Sequence, residues 1–179
     1  ANIMPIAWFV GFDVFVDELD ETFYNSLLEL KSEFAIHFPQ IKKETKLHVK
    51  NLVSNKFEQD NYGLLFSGGL DAFESLTRNI EKKPYLISVH GADIEINDEK
   101  RWNDFKTFNL EEEIIDEDKI CYVESNLRTF YTYEVDLLVG VGWWGKIQHG
   151  MALLSLIAPL SFNHGITTIL IASSNTGEV

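Results

Sequence analysis

The spacing of apolar positions changes rhythm near residue 61. Ahead of it, Ile6 to Val16 is dense in Phe, Val and Trp and predicts a strand or hairpin turning at Gly11. Phe23, Leu27, Leu30 and Phe34 then recur at three- and four-residue steps, which marks one face of a helix. Asp20 stands where a cap belongs for a helix starting at Glu21, and Pro39 follows the last apolar position. Leu47-His-Val49 and Leu52-Val53 predict a short strand or exposed ribbon, flanked by Lys42, Lys43, Lys46 and Lys50. A solvated face accounts for these lysines better than a phosphate-binding patch.

From Asn61 onward, short apolar runs alternate with helical periods. Strands are predicted at Tyr62–Phe66, Tyr85–Val89, Ile120–Val123 and Thr167–Ala172. A helix is predicted over Asp71–Lys82, with Phe73, Leu76, Thr77 and Ile80 inward, Lys82 and Lys83 at its negative end, and Pro84 stopping it. A second runs from Asp98 to about Glu117 with Trp102 and Phe105 inward, and a third from Gly145 to Phe162, ended by Gly165. Strands apolar throughout and joined by helices predict an α/β domain whose parallel sheet is covered on both faces. Residues 61–179 form that domain in this reading, and residues 1–60 a small N-terminal α+β subdomain.

At 179 residues the chain holds one domain, or one with an appendage. Its formal net charge of -13 argues against direct binding of nucleic acid, while leaving room for a local nucleotide pocket. The lone cysteine, Cys121, excludes an intrachain disulfide and a multi-cysteine zinc site, and a cytoplasmic location is the simplest expectation. Ile3–Val16 lacks Lys and Arg and contains Asp13, so it does not read as a secretory signal. Met151–Leu160 is too short to span a bilayer, and no membrane partner is expected. Ser173–Val179 stops directly after a predicted buried strand, so the nucleotide domain is expected to be C-terminally incomplete. The open sheet edge this would leave favours covering by residues 1–60 or by a second copy in a homodimer.

Phe66-Ser-Gly-Gly-Leu-Asp-Ala72 lies between a predicted strand and a predicted helix. Two adjacent glycines let backbone turn tightly and approach a ligand closely. Free N–H groups of the loop and of the helix start then face one space, an arrangement that binds phosphate oxygens. Ser67 adds a hydroxyl, and Asp71 beside phosphates calls for Mg²⁺ between them. The plainer reading is a tight strand-to-helix turn with Asp71 as a cap.

Ser67-Gly-Gly-Leu-Asp71 resembles the SGGxD core of the PP-loop ATP pyrophosphatases, of the adenine nucleotide alpha-hydrolase-like superfamily. The resemblance covers about Asn61 to the C-terminus. It implies a Rossmann-like, HUP-type sheet of order 3-2-1-4-5, with ATP across the C-terminal strand ends. Carried over by position, Ser67, Gly68, Gly69, Leu70, Asp71 and Ala72 would grip the pyrophosphate end of ATP, with Asp71 near Mg²⁺ and as the catalytic candidate. Relatives usually carry Ser or Thr where Ala72 stands, so one hydroxyl contact would be lost. Val89, His90 and Gly91 fall on the adenine side; a plain strand-end histidine bonded to backbone is the competing reading for His90. Asp93, Glu124, Asn126, Arg128, Ser173 and Ser174 fall on the rim for substrate or nucleotide, Arg128 being the best candidate for an anionic group. The resemblance implies adenylation of a substrate carbonyl or carboxylate, with release of pyrophosphate and then displacement of AMP by nitrogen or sulfur. The substrate expected is a small molecule. The alternative is a non-catalytic nucleotide-binding or regulatory module of the same superfold.

Gly140-Val-Gly-Trp-Trp-Gly145-Lys146 satisfies both GxGxxG and most of a Walker A pattern, after a strand-like Leu137-Leu-Val139. Ile147 replaces the required hydroxyl residue, two tryptophans crowd the loop, and the next acid is Glu178. Both readings are rejected in favour of a packing or pocket-lining loop. The five histidines show no metal-ligand spacing, Cys121 is expected inert in a buried strand, and no GxSxG elbow occurs.

Overall fold

A computed structural model describes residues 1–172. By internal contacts they form two compact units: Ala1–Lys56 with Thr129–Ser155, and Phe57–Arg128 with the chain from Leu156 onward. The first 56 residues and the remainder therefore do not divide as one subdomain and one domain, because residues 129–155 belong with the former. The reason is apolar packing: Val135, Trp143 and Ile147 share a core with Met4, Trp8, Phe9, Leu27 and Ile41.

The first unit begins with helix α1 (Ile3–Val10), not the expected strand or hairpin. An unbroken apolar run has no period to distinguish helix from strand. Gly11 closes α1 at φ +99°, its N–H donating to the Ala7 carbonyl at 2.8 Å. Strand β1 (Val14–Asp20) follows, then helix α2 (Glu21–His37) and strand β2 (Leu47–Val53). Asp20 caps α2, accepting from the Phe23 N–H at 3.0 Å. The two strands pair in parallel from Val14 opposite Leu47 to Asp20 opposite Val53. Lys42, Lys43, Lys46 and Lys50 are all exposed.

The second unit carries β3 (Asn61–Leu65), α3 (Leu70–Arg78), β4 (Tyr85–His90), α4 (Glu99–Glu111) and β5 (Ile120–Glu124). The chain then forms α5 (Leu127–Phe130), α6 (Thr132–Val139), a π-helical turn (Trp144–Gln148), α7 (His149–Leu156), α8 (Ala158–Asn163) and β6 (Ile166–Ile171). The single helix expected over Gly145–Phe162 is thus three pieces. Pro159, in the first turn of α8, has no N–H to continue the ladder of α7. Leu137–Val139, strand-like by composition, belongs to helix α6.

The four strands are all parallel, in the order β5-β4-β3-β6. One face packs Leu64 and Leu86 with Ala72, Leu76 and Ile115. The other packs Ile87 and Ile166 with Ile157 of the segment entering α8. Neighbouring strand residues serve opposite faces, which is why the runs are apolar throughout. In α3 the inward positions are Ala72 and Leu76, with Phe73 half-buried, whereas Thr77 and Ile80 are exposed. The sheet is α/β with helices on both faces and is compatible with a Rossmann-like fold. No described helix is long and apolar enough to cross a membrane.

Candidate functional site

Parallel strands send all their C-terminal ends to one edge, and the polar loops gather there. The loop after β3 starts from a pinned base. The Phe66 N–H donates to the Ile87 carbonyl at 2.9 Å, and the buried Ser88 hydroxyl donates to the Phe66 carbonyl at 2.6 Å. Ser88 was not among the residues singled out by sequence; its only signal was a lone hydroxyl inside the apolar run Tyr85–Val89.

Gly68 sits at φ +73°, and a Cβ there would lie 2.8 Å from Cε2 of Phe105 on α4. Gly69 is different. It is the N-cap of α3 with ordinary extended backbone, φ -79° and ψ 167°, and a Cβ would meet only Ser67 Oγ at 3.4 Å. No side chain caps α3, and the first helical bond runs from the Phe73 N–H to the Gly69 carbonyl at 3.1 Å. The N–H groups of Leu70, Asp71 and Ala72 therefore lack intrahelical acceptors. Ser67, Gly69, Leu70 and Asp71 are exposed around them. Ala72 turns its methyl group into the core, so this position faces the loop through its N–H alone.

The second strand end does not present its expected chemistry. His90 is fully buried, stacked on Trp102 with centroids 4.7 Å apart and planes 4° apart. Its Nε2 lies 3.1 Å from the Glu95 carbonyl. A base cannot stack on a ring with no exposed face, so the structure corrects the adenine-side role for the His90 side chain. Gly91 is also committed to packing. At φ +100°, any Cβ would collide with the Ser125 carbonyl oxygen, and the Ser125 N–H donates to the His90 carbonyl at 2.9 Å. Val89 is half-buried within the strand.

Asp93, Glu124 and Asn126 are exposed at the same edge. Arg128 instead directs its guanidinium at the Ala92 carbonyl, which ties the loop after β5 to that after β4. Ser173 and Ser174 lie outside the described residues. Among the described residues no three His, Cys, Asp or Glu side chains are grouped to hold a metal ion. Cys121 faces the core beside Ile87 and Ile157, and burial pushes its thiol pKa up, in keeping with an inert thiol.

The glycine-rich segment 140–146 has neither fingerprint geometry. Gly140 caps helix α6 at φ +64° instead of following a strand. Trp143 is fully buried in the first unit's core, its backbone N–H donating to Asp136 Oδ1 at 2.6 Å. Lys146 is exposed on the π-helical turn.

No family model, no curated protein and no solved structure matches this chain.

Proposed function

We propose that this chain binds ATP by its phosphates at the Ser67–Ala72 loop, in a HUP-type Rossmann-like domain resembling the PP-loop ATP pyrophosphatases. One observation carries the reading. A double-glycine turn with uncapped helix N–H groups opens at the C-terminal end of β3, beside β6, where the strand order reverses. Open α/β sheets bind ligands at that reversal, and helix starts bind anions. Numbered from β3, the strands run 3-2-1-4, as the first four places of the implied order do.

Asp71 fits a Mg²⁺ ion shared with phosphate oxygens, since such ions take one or two carboxylates plus phosphates. The ion would supply charge neutralisation to the departing pyrophosphate. The loop N–H groups would hold the β- and γ-phosphates while a substrate carbonyl or carboxylate oxygen attacks the α-phosphorus and pyrophosphate leaves. Positioning and electrostatics are the chain's contribution to such a step. A second reading, nucleotide binding without chemistry, is favoured by Ala72, whose methyl group packs in the core and leaves no hydroxyl at that position of the loop.

Calorimetry with Mg·ATP tests binding, and α-³²P-labelled ATP tests chemistry. Saturable 1:1 binding lost in Gly69→Val supports the site; equal affinity in the folded variant refutes it. AMP formation dependent on an added small-molecule acceptor separates the enzyme from the binding module.

A further inference from the structure

The first unit holds a cavity of about 220 Å³ that the nucleotide reading leaves unused, formed between α1, α2 and the start of β2. All its lining residues fall between Met4 and His48, within that one compact unit. One side of it is apolar, made by Met4 and Trp8 of α1, Leu27 of α2 and Leu47 of β2. The other side is cationic. Lys31, Lys46 and His48 line it, and no Asp or Glu does, in a chain with 28 acidic residues against 15 Lys and Arg. Asp13 lies just outside and is already engaged, accepting from the Lys46 N–H at 2.8 Å and lying 2.8 Å from His48 Nε2.

Lys31 is held as an anion-binding lysine would be. An ammonium carries three N–H donors. Two of them go to the Lys43 carbonyl at 2.8 Å and the Thr45 carbonyl at 2.6 Å, which fix the amine on the cavity wall. The third has no acceptor among the described residues, and no carboxylate there stands at ion-pair distance. Burial, above all, pushes the Lys31 pKa down, because a partly desolvated charge lacks its full hydration. A bound anion would supply both the missing acceptor and the missing countercharge.

The size of the space limits the ligand. A hydrocarbon-walled cavity of about 150 Å³ holds benzene, so about 220 Å³ suits about nine non-hydrogen atoms in proportion. We infer that this cavity binds a small carboxylate of that size, its apolar body against Met4, Trp8, Leu27 and Leu47 and its charge on Lys31 and Lys46. An inorganic phosphate would leave the apolar side uncovered, which favours the carboxylate. The site is built from residues other than the Ser67–Ala72 loop and does not depend on nucleotide binding.

Benzoate, benzamide and benzamidinium share this size and nearly one shape, and differ in carrying negative, zero and positive charge. The test titrates each into the full chain, with calorimetry and methyl resonances as readouts. Benzoate should bind at one equivalent and move the methyl signals of Met4, Leu27 and Leu47. Benzamide should bind about tenfold more weakly or worse, as the loss of a charge-assisted hydrogen bond predicts, and benzamidinium more weakly still. Lys31→Met should remove the preference for benzoate over benzamide. Lys46→Met alters an exposed side chain, should fold normally, and should narrow that preference. The wild-type comparison is decisive even if Lys31→Met, with two carbonyls left unbonded, fails to fold. Equal affinity for benzoate and benzamide overturns the inference. So does benzoate binding that moves none of the three methyl signals, or no benzoate binding by about 10 mM, the weakest affinity expected of nine atoms at ordinary ligand efficiency. Inorganic phosphate that displaces benzoate with equal affinity overturns it too.

Discussion

Exchanging Gly68 for alanine places a methyl group 2.8 Å from the Phe105 ring, at a backbone φ of +73°. The left-handed conformation costs a non-glycine residue about 1–2 kcal/mol. Phe105 cannot swing aside freely, because it is half-buried and stacked on Trp102 at 5.4 Å, so overpacking adds about 1–3 kcal/mol. The sum is about 2–5 kcal/mol of local stability. Gly69→Val is the paired control. Its backbone is ordinary for any residue and its nearest obstacle is Ser67 Oγ at 3.4 Å, so the cost is limited to a weakened N-cap, about 0.5–1 kcal/mol. Hydrogen exchange of the β3 and β4 amides measures both in place. Gly68→Ala should speed exchange by about thirtyfold or more, at 1.4 kcal/mol per decade, and Gly69→Val by less than about fivefold. ATP binding should behave in the opposite sense per unit of stability lost. Gly69→Val should abolish it in a folded protein, since the isopropyl group stands in the space before the helix N–H groups. Equal exchange in the two variants would refute the division of labour between the glycines.

Gly91→Ala should cost more than Gly68→Ala, above about 3 kcal/mol, because the new Cβ meets backbone at Ser125 instead of a side chain; thermal melts compared side by side check the ranking. Lys146→Ala should leave ATP affinity within about threefold, under about 1 kcal/mol, in calorimetry, since Lys146 lies on a π-helical turn and not in a phosphate loop. Asp20→Ala should cost about 1 kcal/mol at neutral pH through loss of the α2 cap. The Phe23 N–H first, and the Asn55 N–H second, hold the Asp20 pKa below its ordinary value. A depressed folded pKa gives stability that is present above the unfolded value and lost as pH falls through the folded one. Urea titrations should therefore show the difference between wild type and Asp20→Ala shrinking as pH falls below about 4.

Where local chemistry decides conformation, the chain was legible. The Asp20 cap, the β3 and β4 runs and the glycine turn at 68–69 each follow from dihedral preference or a short-range hydrogen bond. Legibility failed where burial decides. Ile3–Val10 is uniformly apolar, and packing of Trp8 against Phe34 and of Phe9 against Trp143 made it helical. The buried face of α3 lies one step from the periodic one, since Ala72 packs with Leu64 and Leu86 while Thr77 is exposed. Residues 129–155 look continuous with the alternating pattern, yet their apolar side chains complete the first unit's core.

The candidate site divides the same way. By itself the sequence determined that a flexible two-glycine turn joins a buried strand to a helix start and carries a hydroxyl and a carboxylate, because these are properties of adjacent residues. Tertiary structure alone decided which groups remain accessible there. It set Phe105 against Gly68, drew Arg128 to the Ala92 carbonyl, and closed His90 beneath Trp102. It also brought His90 Nδ1 within 3.7 Å of Glu124, a residue 34 positions away in the chain. Such pairings depend on the parallel register of β4 with β5, where His90 lies opposite Glu124. That register is set by the apolar faces of both strands together, and neither strand's own residues encode it.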